Sequence, residues 1–538
     1  MMPDLILVNG TVWTANGQPA AEAVAVAGGV IVAVGSNDDV RALAGRETRV
    51  IDAAGRLVLP GFNDAHVHLI GGGMSLSQLD LRTAADERQF VERIARHVAC
   101  LPEGRWITGG NWDHESWPSR RRPTRELIDP VTPRHPVFLR RLDGHIAVAN
   151  SLALKAAGVT GGTADPPGGR IERDGRGEPT GVLIDQAMAL VTGVCPAPDA
   201  ADLYAAARRA LRHAAAHGVT SVQTPCGAGD LRTLQEVRRR GELDVRVYAP
   251  LETEAMEGLC AAGVEMPFGD PMLRIGGVKI FADGSLGAGS AWLIDPYPGG
   301  GDFGQPIHDE PALREIVRRA DAAGLQAVIH AIGDRAVRAC LDALQHAADA
   351  GRRRGARHRI EHAQLVDPAD LPRLAALGVV ASIQPSHCID DLRWVDRRLG
   401  PRRALMYPFR SLLDAGVAVA LGTDWPVEPL DPMLTLYAAV TRRTAGGDPA
   451  GGWHPQEKVA LADALAAYTL GAAWAEFEDH RKGSIEPGRL ADMVILSRNI
   501  LAAPPQDLLD TRADLTLVGG RVVYDRFGEA PLGCTASP

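Results

Sequence analysis

The sequence predicts an α/β protein built on a (β/α)8 TIM barrel, with a small sheet domain made from both chain ends and a large insertion after the first barrel strand. Three observations carry this. Eight apolar strand candidates follow one another from Leu57 to Pro426, most separated by Ala-, Arg- and Leu-rich helical segments; strands alternating with helices make a parallel sheet, and eight of them close it. Both termini read as short strands broken by turns. One interval, roughly 71–215, is far too long for a strand-to-helix crossover.

The N-terminal run "LILVNGTVWT" carries an Asn9-Gly10 hairpin signal, and "AVAVAGGVIVAVG" repeats the pattern around Gly28-Gly29. "ADMVILS" and "LTLVGGRVVYD", with Gly519-Gly520 at the turn, mirror it at the far end. Residues 1–58 and 482–538 are therefore assigned to one sheet domain and 59–481 to the barrel.

The first barrel strand lies in "LVLPGFNDAHVHL". The others are expected within Gly218–Pro225, Asp244–Leu251, Leu273–Gly284, Leu325–Asp334, His358–Val366, Val379–His387 and Val417–Pro426. Helices such as Tyr204–Gly218 and Glu310–Gly324 fill the gaps. The 71–215 insert holds strand-like pieces of its own, "GRWITGGNWD" and "HPVFLRRLDGH". A barrel insert at this point leaves from the face that carries active sites, so it is expected to act as a lid or specificity subdomain.

Bulk properties exclude several classes. The 538 residues carry a net charge of −9, which gives no global attraction to nucleic acid or anionic membrane. The basic runs Arg120–Arg122 and Arg352–Arg354 read as solvated faces. Seven scattered cysteines without a CxxC fit a reducing compartment rather than a disulfide framework or zinc ribbon. The N-terminus lacks the pattern of a secretory signal, no apolar run reaches about 18 residues, and no GxxxxGK[ST] occurs. A cytoplasmic enzyme acting on a small molecule is expected.

The chemistry gathers at strand ends. His66 and His68 are two residues apart, so on a strand they share a face and can grip one ion. Lys279 stands inside the apolar run "GGVKIFADG", where an ammonium is costly unless paired or modified. His330, His362 and Asp424 fall at the ends of the fifth, sixth and eighth strands. Glu361, next to His362, is expected on the opposite face. Singly, each reads as a core or turn residue. Six ligand-type residues at matching ends of five strands read together as a metal centre with one or two ions.

These residues carry a resemblance. The order HxH, Lys, His, His, Asp, with "KGSIEPGRLADMVILS" near the C-terminus, resembles the amidohydrolase superfamily. "GNWDHESWPSRRRPTRELID", "PVFLRRLDGHIAVANSLAL", "VKIFADGSLGAGSAWL", "HAIGDRAV" and "RIEHAQLV" are similar to its YtcJ-like group, amidohydrolase family 3, which includes N-substituted formamide deformylases. The likeness spans nearly the whole chain. It implies that the terminal sheets form a β-sandwich. It implies that His66, His68 and Asp424 hold one divalent ion and His330 and His362 a second. Lys279, carboxylated by CO2, would bridge them. Zinc suits these ligands, as do manganese, iron and cobalt.

The implied reaction is hydrolysis of an amide-type C–N bond by metal-activated hydroxide, with Asp424 as proton shuttle. The same metal site also serves deaminases, lactonases or esterases, and decarboxylases. A non-catalytic metal-binding scaffold is disfavoured because all six ligands are present. His145, placed over the site by the family pattern, and His387 with Asp390 or Asp391 are expected substrate contacts. Trp112 and Trp117 are expected to offer an aromatic wall or pack the insert. Asp283 and Gly284 read as turn or supporting residues. Oligomeric state is not legible in the sequence; a homodimer is the working expectation.

Overall fold

The computed structural model describes residues 2–15, 17, 21–114, 117–141, 146–166, 169–287, 289–351, 355–392 and 395–528. Eight parallel strands form the predicted barrel: β1 Phe62–Asp64, β2 Val219–Gln223, β3 Arg246–Glu252, β4 Leu273–Phe281, β5 Ala327–Ala331, β6 Arg359–His362, β7 Val380–Ile383 and β8 Ala418–Leu421. They pair in sequence order from β1 to β8. The seam between β8 and β1 is closed just beyond the strand ends. There Ala65 N–H donates to Leu421 O at 2.9 Å, Asp424 N–H to His66 O at 2.7 Å and His68 N–H to Trp425 O at 2.7 Å.

Buried Asp64 pins this seam, accepting from Thr423 N–H at 3.0 Å and the Tyr468 hydroxyl at 2.9 Å. Burial pushes its carboxyl up to about 7 against these donors. Gly422 is required here, because a Cβ on it would fall 2.5 Å from the His66 nitrogen.

The two chain ends build two facing sheets. One orders Val30–Gly35, Ala23–Ala27, Leu5–Val8 and Arg49–Asp52; the other orders Thr11–Val12, Leu57–Pro60, Met493–Leu496, Ala513–Val518 and Arg521–Asp525. Alternation divides the first strand. Leu5 and Leu7 join Val24, Val26, Met493 and Leu517 between the sheets, while Ile6 and Val8 face Val40 on the outside. The hairpins at Gly28-Gly29 and Gly519-Gly520 form as expected.

The expected Asn9-Gly10 hairpin does not form. Asn9 takes φ +55, and the chain switches sheets there: Leu5–Val8 pairs with Ala23–Ala27 and Arg49–Asp52, whereas Thr11–Val12 pairs with Leu57–Val58.

The insert holds a separate compact unit, Gly73–Ala206. It holds a six-stranded sheet in the order Gly169–Arg173, Pro179–Asp185, Ile146–Ala149, Phe138–Arg141, Gly109–Trp112 and Leu79–Asp80. Among the described residues no helix is long and apolar enough to cross a membrane.

Candidate metal centre

The C-terminal ends of the barrel strands bring the predicted ligands together. His66, His362 and Asp424 are all buried, and each offers a ligand atom within 4.8 Å of the others'. The rings of His66 and His68 have centroids 5.5 Å apart, His66 and His362 5.1 Å, and His330 and His362 4.5 Å. Backbone strain helps to aim them: His362 has φ +73 and Asp424 φ +60, a region uncommon for non-glycine residues.

His66, His362 and His330 each have one ring nitrogen tied to an oxygen that can only accept. His66 Nδ1 donates to Glu361 Oε2 at 2.5 Å. His362 Nδ1 donates to Gln384 Oε1 at 2.8 Å, the amide being oriented by its own N–H bond to Ser382 O at 3.0 Å. His330 Nε2 donates to Gly284 O at 3.0 Å. The free lone pairs are therefore on Nε2 of His66, Nε2 of His362 and Nδ1 of His330. Burial, followed by the Lys279 charge, lowers His66 and presses His330 down to about 3; burial and His330 hold His362 well below the usual range. Three neutral imidazoles result, the form that ligates metals.

Asp424 supplies the complementary charge. Burial opposes its ionisation, but the close approach of His68 Nε2 and the surrounding rings of His66, His362 and His387 outweigh that and hold the carboxyl far below its ordinary range. Its Oδ1 lies 3.1 Å from His68 Nε2 and 3.5 Å from His66 Nε2. Alignment is poor, so geometrically Oδ1 is buried without a well-formed hydrogen bond, and so is His387 Nε2, 3.5 Å from Asp424 Oδ2. A buried anionic oxygen left so weakly paired is costly, and a cation at the cluster removes that cost. The donor set thus fits a divalent ion.

Lys279 is 2% exposed, and its Nζ lies 4.9 Å from the centre of the Phe281 ring. Burial lowers its amine to about 8 despite the charges of Glu361 and Asp424. Roughly a tenth of the amine is then neutral at pH 7, far more than for an ordinary lysine, and carboxylation by CO2 requires that form.

Two expectations are corrected, for Glu361 and for the pair Trp112 and Trp117. Glu361 does not face away from His362: it is completely buried beside His66 and chelated by Arg359, whose Nε and Nη2 donate at 2.8 and 3.1 Å. Burial opposes its ionisation, but the charges of Arg359 and Lys279 and the hydrogen bond from His66 win and keep it a carboxylate. Trp112 and Trp117 do not form a wall but pack the insert's interior, their indole N–H groups donating to Leu139 O at 2.9 Å and Ala84 O at 2.8 Å. Asp391 accepts from the Tyr407 hydroxyl. His145 lies outside the described residues. Asp283 is a supporting residue, accepting from the backbone N–H of Trp292, Ile332 and Gly333.

Phe281 was not singled out by the sequence. Two residues beyond Lys279 on the same strand face, its ring centroid lies 5.2 Å from that of His330, and the residue is 40% exposed. Its signal was present in "VKIFADG", an aromatic in phase with Lys279.

Comparison with known proteins follows this geometry. Residues 49–524 match the family model described as "Amidohydrolase family". The chain is 39% identical to the protein LONG AFTER FAR-RED 3 of Arabidopsis thaliana, covering 97% of this chain and 92% of that one. It is 31% identical to the putative amidohydrolase YtcJ of Bacillus subtilis (94% and 96%). It is 30% identical to the N-substituted formamide deformylase of Arthrobacter pascens (98% and 99%). Among solved structures, a metal-dependent hydrolase of Pyrococcus horikoshii superposes with a TM-score of 0.77 at 30% identity, covering 93% of this chain and 99% of that one.

Proposed function

This chain belongs to the amidohydrolase family and is a metal-dependent hydrolase, and from that premise we propose that it cleaves the C–N bond of a small amide-type substrate. The similarity to an N-substituted formamide deformylase supports that choice of bond. The observation that carries the reading is the buried cluster of His66, His362 and Asp424, whose ligand atoms lie within 4.8 Å of one another, with both histidines fixed through Nδ1 and Asp424 Oδ1 weakly paired.

His66, His68 and Asp424 would hold one ion, His330 and His362 a second, and Lys279 would join the two as its carbamate. When bound, such ions lower the pKa of water toward neutrality and polarise a substrate carbonyl; zinc suits the ligands, as do manganese, iron and cobalt. The protein's own residues do the rest. Asp424, ionised and at the edge of the cluster, takes the proton of the attacking water and passes it to the departing amine nitrogen. His387 Nε2, buried and facing Asp424 Oδ2, donates to the substrate. The exposed face of Phe281 carries an apolar substituent.

The test is elemental analysis of purified protein beside a panel of N-substituted amides, assayed for released amine. One or two ions per chain, and amine release abolished by Asp424→Asn, are expected. Protein that holds no metal after resupply with zinc and bicarbonate overturns the reading.

A further inference from the structure

We infer that Glu361 is the positioning residue of the metal centre: clamped by Arg359, it fixes the ring and tautomer of His66 so that Nε2 always faces the ion. This rests on the metal reading above and deepens it. Four observations lead there.

The first is the contact itself. Glu361 Oε2 lies 2.5 Å from His66 Nδ1, with both side chains buried. A carboxylate can only accept, so it commits the Nδ1 hydrogen and leaves Nε2 bare. The second is the rigidity of the acceptor. Arg359 donates to Glu361 Oε1 at 2.8 Å and Oε2 at 3.1 Å, while its remaining N–H groups reach Ala65 O at 2.7 Å, Ser382 Oγ at 3.1 Å and Gln223 Oε1. A guanidinium spread over β2, β6, β7 and the end of β1 cannot rotate without breaking several bonds, and neither can the carboxylate it holds.

The third is the cost. A buried Arg–Glu pair adds little stability compared with apolar residues of the same volume, so its presence at the barrel centre asks for another reason. The fourth is the difference between ligands. His362 is oriented by a neutral amide and His330 by a backbone carbonyl, with Asp283 Oδ1 farther off at 3.7 Å, so of these three His66 is the one hydrogen-bonded to a braced carboxylate. An anionic partner on the distal nitrogen raises the basicity of the ligating one, and losing such a partner typically costs 10- to 100-fold in metal affinity.

The experiment uses full-length holoenzyme and follows metal loss to a chelator, together with the melting midpoint of the metal-free protein. Glu361→Gln keeps the shape and removes the charge. Glu361→Asp keeps the charge opposite Arg359 but withdraws the oxygen from His66 by about one methylene. Both variants are expected to lose metal about 10- to 100-fold faster than wild type. A merely structural role would lower the metal-free midpoint and leave the metal-loss rate within twofold of wild type; that result in either folded variant overturns the inference. Wild-type protein that holds no metal overturns the metal-centre reading as well, so the two failures are distinguishable.

Discussion

The rings of His330 and His362 meet edge to face with centroids 4.5 Å apart, on neighbouring strands, each pinned through its outer nitrogen to a different acceptor. The two lone-pair nitrogens are therefore of different kinds, Nδ1 on His330 and Nε2 on His362. His330→Gln and His362→Gln should each lower bound metal by about one ion per chain and cut kcat/KM by at least about a hundredfold, measured by elemental analysis and amine release.

Lys279 separates function from stability. Holding an amine near 8 in place of its ordinary 10.5 represents a burial cost on the order of 3 kcal/mol near neutral pH. Lys279→Met relieves that cost with similar volume. In metal-free, CO2-depleted protein the variant should melt several degrees higher than wild type, while its bound metal and its activity fall. Calorimetry beside elemental analysis checks both halves.

Phe281 should act on binding more than on turnover. Phe281→Ala removes an apolar wall beside His330, a loss of about 1.5 kcal/mol for an aryl-substituted amide, or roughly tenfold in KM. A methyl-substituted amide should change by less than about threefold, so a paired kinetic series reads the difference directly.

His213 should set part of the acid stability. It stacks on Trp425, centroids 5.2 Å apart, and burial, then the nearby His217, hold it at about 4 against an ordinary 6.5. Between those values the unfolded chain binds more protons, so stability rises with pH from about 4 to 6.5 and is level above. Wild type should therefore lose on the order of 2 kcal/mol more than His213→Phe between pH 7 and pH 4.5, read from denaturant melts at each pH.

Much of this was legible because ligand chemistry and strand order are both written locally. Each of His66, His68, Lys279, His330, His362 and Asp424 combines a metal-binding side chain with the end of an apolar run, and the barrel supplies the rest. Glu361 was lost for a specific reason. Period-two alternation puts it opposite His362, but His362 adopts φ +73, breaking the alternation at the last residue of β6. Its ring swings to the mouth while Arg359 and Glu361 keep to the interior face. Trp112 and Trp117 were ambiguous because a buried aromatic and a pocket-lining one share the same sequence signal. At Asn9-Gly10 the turn signal was real, but tertiary pairing used it to pass from one sheet to the other.

The seam at which His66 O accepts the Asp424 N–H joins the first strand of the barrel to the last. A chain still emerging from the ribosome has made His66 early but has no Asp424 to set against it until β8 is synthesised. Nothing shorter than the chain through β8 and Asp424 carries the full donor set, and long-range closure of this kind is slow. Ion capture would then come last and would lock the ring shut. Metal occupancy would in that case report completed folding, and truncated products would be left to the cell's proteases unloaded.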